Sequence, residues 1–126
     1  PALAVFARSI KTTLRRWNEL AIEFVHYLSY PEAVTLHFEV MEICGETRFG
    51  VMERTLVESA LARPRHAAVY ENADLIRQAA TLCFGLIKNH PWVGGNKRTA
   101  TAIVDEFLYR NGLEVIVKRG DNGSRA

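Results

Sequence analysis

"NADLIRQAATLCFGLIKNHPWVGGNKRTATAIVDEFLYRNG", residues 72–112, decides the fold. Ala73 to Asn89 is apolar on most sides, as expected of a helix buried at the centre of a bundle. Asn72 is the expected cap of that helix. Pro91 disfavours a helical conformation at His90, so the helix should end near Asn89. A second helix runs from about Asn96 to Tyr109, with Ala100, Ile103, Val104 and Phe107 inward and Asn111-Gly112 as its stop. The stretch therefore reads as two core helices joined by a glycine-rich turn.

Working outward, Ser29-Tyr30-Pro31-Glu32 is a capping box with proline in the first turn. The helix it opens carries the stripe Ala33, Leu36, Val40 and Ile43, and Gly45 suits a left-handed stop. "MERTLVESALARP", residues 52–64, predicts a helix with Leu56, Val57, Ala60 and Leu61 inward, ending at Pro64. Residues 64–72 show no helical stripe and read as a loop or short extended segment. Ile10, Leu14, Trp17, Ala21, Phe24 and Leu28 mark an N-terminal amphipathic helix capped by Ser9. "LEVIVK", residues 113–118, is a short strand candidate without a partner. The expected architecture is all-α.

Bulk properties narrow the function. A chain of 126 residues makes one domain, with 48% apolar and 24% charged residues, the ordinary mix of a soluble globular protein. A net charge of +2 is too small to argue for a nucleic-acid or membrane surface. No apolar run is long enough to span a bilayer, and the opening "PALAVF" has neither the basic lead nor the length of a signal-peptide core. Cys44 and Cys83 form no CxxC pair, which fits reduced thiols in a cytoplasmic protein. Both cysteines, with Met41 and Met52, read as core. His26, His37 and His66 are assigned no functional role, and the "RGD" and Asn-Gly-Ser matches near the end read as chance.

The turn carries the chemistry. Free backbone N–H groups and the helix dipole at the start of the second helix make an anion site. Gly94 and Gly95 allow close backbone approach, and Lys97 and Arg98 add positive charge. Asn96 can cap the helix as well as contact phosphate. His90, an imidazole at the mouth of this pocket, is suited to accept a proton near neutral pH. "GGNKRT" is not a Walker A loop, which needs four residues between its first glycine and the Gly-Lys pair, and a strand before it. The residues alone point to phosphoryl or nucleotidyl transfer.

"HPWVGGNKR", residues 90–98, resembles the Fic/Doc motif, H-P-F-x-D/E-G-N-G/K-R. Lys97, where AMP-transferring members carry glycine, places the likeness in the Doc (death on curing) toxin branch. "YLSYPEAVTLHFEVME", "LVESALARPR", the 72–92 stretch and "FLYRNGLEV" look like Doc-type sequence as well. The likeness implies an N-terminal extension over 1–26, a Fic/Doc domain over 27–117 and a polar tail over 118–126. It implies a Fic-fold helical bundle with a short flap near the active-site turn, expected within 64–72. By resemblance, His90 is the base that deprotonates a target hydroxyl, and Gly95, Asn96, Lys97 and Arg98 hold the phosphates of ATP. Trp92 anchors the turn. The target would be elongation factor Tu, phosphorylated by a kinase activity that blocks translation, and a cognate antitoxin would neutralise the toxin.

Gly94 departs from the motif, standing where the family has the acid that holds Mg²⁺. Glycine offers no side-chain oxygen, and Mg²⁺ needs carboxylate and phosphate oxygens in octahedral geometry. The expectation is slow or absent transfer, restored by Gly94→Asp. Asp105 and Glu106, roughly three turns on, are poor substitutes. Competing readings are an AMP transferase, which Lys97 disfavours, and a Fic-fold relic that binds nucleotide or antitoxin without transfer. A helix-turn-helix DNA binder is disfavoured because "TATAIVDEF" leaves few side chains to read bases.

Overall fold

The structure, a computed structural model, describes residues 24–115. The predicted extension over 1–26 and tail over 118–126 lie almost wholly outside that range. So does most of the helix predicted over residues 10–28; its described end, 25–28, is not helical.

Four helices follow in order: α1 Tyr30–Cys44, α2 Arg54–Glu71, α3 Leu75–Asn89 and α4 Asn96–Arg110. No strand occurs among the described residues; an isolated antiparallel bridge joins Val51 to Trp92. α3 packs along α2 on one side and α4 on the other, and α1 closes against α4. Val57, Ala60, Leu82, Leu86, Trp92, Ile103 and Phe107 fill the core between them. The all-α bundle expected from periodicity is the fold.

The capping box of α1 is formed as predicted. Ser29 Oγ accepts from the Glu32 N–H at 3.3 Å, and the Glu32 carboxylate accepts from the Ser29 N–H at 3.0 Å. Glu32 also pairs with Arg110 at the far end of α4, so one side chain both caps α1 and staples it to α4. Arg110, the Ser29 N–H and the Ser29 hydroxyl together pull the Glu32 pKa from 4.5 down to about 2. Such a group adds stability above the ordinary carboxylate value, and the addition shrinks as pH falls from 4.5 towards 2. Glu32→Gln is expected to lose about 1 kcal/mol at neutral pH, since the pair is partly exposed. Urea unfolding at a series of pH values should show the gap between the two proteins closing in that acidic window.

The buried stripe of α1 is rotated from the predicted one. Ala33, His37 and Met41 face inward at i, i+4 and i+8, while Ile43 is 84% exposed. Its partner sets the rotation, because α4 brings Thr99 against His37. Gly45 ends the helix at φ 67°, as expected.

Pro64 does not stop α2. The helix runs on to Glu71, so residues 64–72 hold no flap. Ala60, Pro64, Ala67 and Ala68 are all buried, and their spacing is helical. Proline in a helix forfeits one backbone bond and costs about 3 kcal/mol, but here the close packing of α2 on α3 outweighs that loss. A stripe of small residues carries little hydrophobic signal, so periodicity alone marks no helix there. The longer α2 also moves the next boundary. Asn72 becomes the left-handed terminator of α2 at φ 52°, and Asp74 caps α3 by accepting from the Arg77 N–H at 2.8 Å.

The extended segment beside the predicted site is 46–53, between α1 and α2. Its backbone pairs with the motif turn: the Met52 N–H donates to the Pro91 carbonyl at 2.9 Å, and the Val93 N–H to the Gly50 carbonyl at 2.8 Å. Met52 is exposed rather than core. Cys44 is exposed and Cys83 half-buried, so neither thiol is a core residue. Leu113 to Val115 form no strand; the rest of that candidate lies outside the described residues.

Candidate active site

α3 ends where Pro91 requires, and His90 takes the left-handed position after it, at φ 49° and ψ 53°. That conformation turns the chain sharply out of the helix. It leaves His90 exposed while Pro91 and Trp92 are buried behind it. Asn89 fixes the exit by donating from Nδ2 to the Leu56 carbonyl on α2 at 2.9 Å. The histidine is thus placed on a rigid element with its ring available to a reactant.

Trp92 is buried in the core, with 0% exposure. Its ring stacks on His37 at 4.3 Å between centroids and 14° between planes. The indole Nε1–H is buried and has no acceptor among the described residues. Trp92 is also gripped by Asn96, whose Oδ1 accepts from the Trp92 N–H at 3.0 Å and whose Nδ2 donates to the Trp92 carbonyl at 2.9 Å.

This grip changes the role expected of Asn96. Its side chain is buried and bonded at both ends to the Trp92 backbone, and the cap position falls to Gly95. Gly95 is the N-cap, at φ 65°, with no side-chain cap bond. Any Cβ at Gly95 would fall on the Met41 thioether, so glycine there serves both conformation and space. What Asn96 and its neighbours offer a ligand is backbone: the first-turn N–H groups of α4 and the positive end of its dipole. Lys97 and Arg98 extend from that same turn and are exposed. His90, Lys97 and Arg98 are thus exposed on either side of the turn, while Asn96 and Trp92 are buried as its brace.

Gly94 is packed closely against the segment between α1 and α2. A Cβ built on it would fall on the Arg48 carbonyl oxygen and lie 3.2 Å from the Arg48 Cβ. The segment 46–53 has closed over the position. Arg48 itself is exposed, and its backbone lies against Gly94 of the motif turn. No local pattern in the sequence marks Arg48 for this place; only the pairing of residues 50–52 with the turn brings it there.

The donor set does not fit a protein-held Mg²⁺. Gly94 supplies no oxygen, Asp105 stands on the exposed side of α4, and Glu106 is committed to Arg110 at 3.0 Å. No cluster of three His, Cys, Asp or Glu side chains occurs among the described residues. No described helix is long and apolar enough to cross a membrane.

Residues 27–108 match the Fic/DOC family. Over 78 residues the chain is 40% identical to Toxin Doc of Mycolicibacterium smegmatis, an alignment covering 56% of this chain and 59% of that protein. The chain thus spans less than two thirds of that relative's length. No solved structure matches it.

Proposed function

Because the chain belongs to the Fic/DOC family, we propose that it is a Doc-type toxin that binds ATP at the start of α4 and transfers phosphate poorly. The uncapped helix N-terminus, flanked by exposed Lys97, Arg98 and His90, carries the proposal. Backbone N–H groups cradle the phosphates, and the two cations offset their charge. The hydroxyl of the target, elongation factor Tu by family likeness, attacks the γ-phosphorus. Its proton passes to His90, the bond from the γ-phosphorus to the bridging oxygen breaks, and ADP leaves. A cognate antitoxin would restrain such a toxin.

Transfer is slow in this reading because the turn lacks the charge that a metal-holding acid organises. Mg²⁺ bound with ATP would find no carboxylate at Gly94, so no step depends on it. A second reading, a binding protein without transfer, draws on the same glycine and on the Arg48 carbonyl that fills its surroundings.

Intact mass of elongation factor Tu after incubation with the chain, ATP and Mg²⁺ separates the readings. A phosphate-sized gain supports the kinase, an AMP-sized gain the transferase, and no gain with measurable ATP binding the relic. His90→Ala is expected to abolish any gain while ATP affinity stays within about twofold, since the histidine acts on the proton and not on the phosphates. Loss of ATP binding in that variant would contradict this division of labour.

A further inference from the structure

We propose that His37 is a positioning residue of the active site, its neutral ring tying the extended segment at Gly50 and the motif helix at Thr99 into one frame around the turn. His37 is 0% exposed and belongs to neither of the elements it joins. Its Nε2 accepts from the Gly50 N–H at 2.9 Å, and its Nδ1 lies 2.8 Å from Thr99 Oγ1. Its face lies against Trp92.

The two bonds fix the tautomer. A ring nitrogen that accepts from a backbone N–H has no proton of its own, so Nε2 is bare. The single proton of the neutral ring is then on Nδ1 and is donated to the Thr99 hydroxyl. Burial disfavours the charged ring and lowers the His37 pKa, which is consistent with this form. Leucine would fill similar space but would leave the Gly50 N–H without its acceptor, and a buried donor left unpaired costs about 1–3 kcal/mol.

The position of Gly50 matters because its carbonyl accepts from the Val93 N–H, and two residues on Met52 donates to Pro91. His37 therefore holds the segment from behind while the segment holds the turn from the side. On the opposite edge Thr99, in the second turn of α4, fixes the helix whose first turn faces the ligand. His37 touches no reactant. It acts through Gly50 and Thr99, and only the consequence for phosphate binding rests on the function proposed above.

Hydrogen exchange on the whole chain, read residue by residue by NMR, tests the assignment. Glutamine can carry an amide oxygen to the place of Nε2, whereas asparagine reaches only as far as Nδ1. In His37→Asn the Gly50, Met52 and Val93 amides are expected to exchange at least about tenfold faster, while those of Leu82 and Leu86 in α3 hold. In His37→Gln the Gly50 amide should stay within about threefold of the wild type. Equal exchange in both variants, or wild-type exchange in His37→Asn, would overturn the role. Ring ¹⁵N shifts of the wild type must also show the proton on Nδ1. A proton on Nε2 refutes the proposal even if neither variant folds. A chain that keeps this amide pattern but binds no ATP would retain His37 in its role and remove the nucleotide reading of the turn.

Discussion

Gly94→Asp is expected to lose about 1–3 kcal/mol of stability and to leave phosphate transfer unrestored. From sequence the same change should restore activity, because it returns a carboxylate to the motif. The structure alters that expectation through sterics. The new Cβ would land on the Arg48 carbonyl, a backbone atom that no rotamer change can move. The segment carrying it is tethered at both ends, by the Glu46 N–H to the Met41 carbonyl at 2.9 Å and by the Gly50 N–H to His37. Room for the carboxylate therefore requires the segment to lift away from the turn. Gly94→Ala carries the same Cβ without the charge and should lose a similar amount in urea unfolding. If Gly94→Asp instead gained transfer at wild-type stability, residues 46–50 would be free to yield and Gly94 would be only a missing ligand.

Trp92→Ala is expected to cost about 3–5 kcal/mol, the range for deleting a large buried aromatic. The indole lies in the core and stacks on His37, and the Trp92 backbone forms the bridge to Val51. Trp92→Phe should cost far less, under about 1.5 kcal/mol. It gives up volume but also removes the buried Nε1–H, which has no acceptor among the described residues. Denaturant midpoints of the two variants check this. A phenylalanine variant as unstable as the alanine one would mean that ring volume, not the orphaned donor, dominates the site.

Features governed by neighbours in the chain were legible in sequence. The Ser29–Glu32 box, the left-handed Gly45, the end of α3 before Pro91 and the inward face of α4 all follow from local rules. The motif turn was legible in the same way, and the place of Trp92 in it came from the family resemblance. Features set by distant partners were not. Pro64 lies inside α2 because α3 packs against its stripe of small residues. His37 had no assigned role because its two partners are 13 and 62 residues away. Asn96 carries the chemistry of a cap or phosphate ligand, yet the tight turn consumes its amide. Arg48 reaches the site only because a segment without regular structure folds over Gly94.

The contact between His37 and Thr99 also bears on the order of folding. α2 and α3 are successive helices joined by a short connection, so their packing needs little loop closure and can form early. α1 and α4 are the first and last described helices, and His37 meets Thr99 only after the chain between them has been closed. Because that closure costs entropy before any contact repays it, docking of α1 is a late event. The turn that carries His90 is then shaped at the end of folding rather than with the hairpin it extends. On the ribosome, α1 must wait for its main partner until α4 has left the exit tunnel.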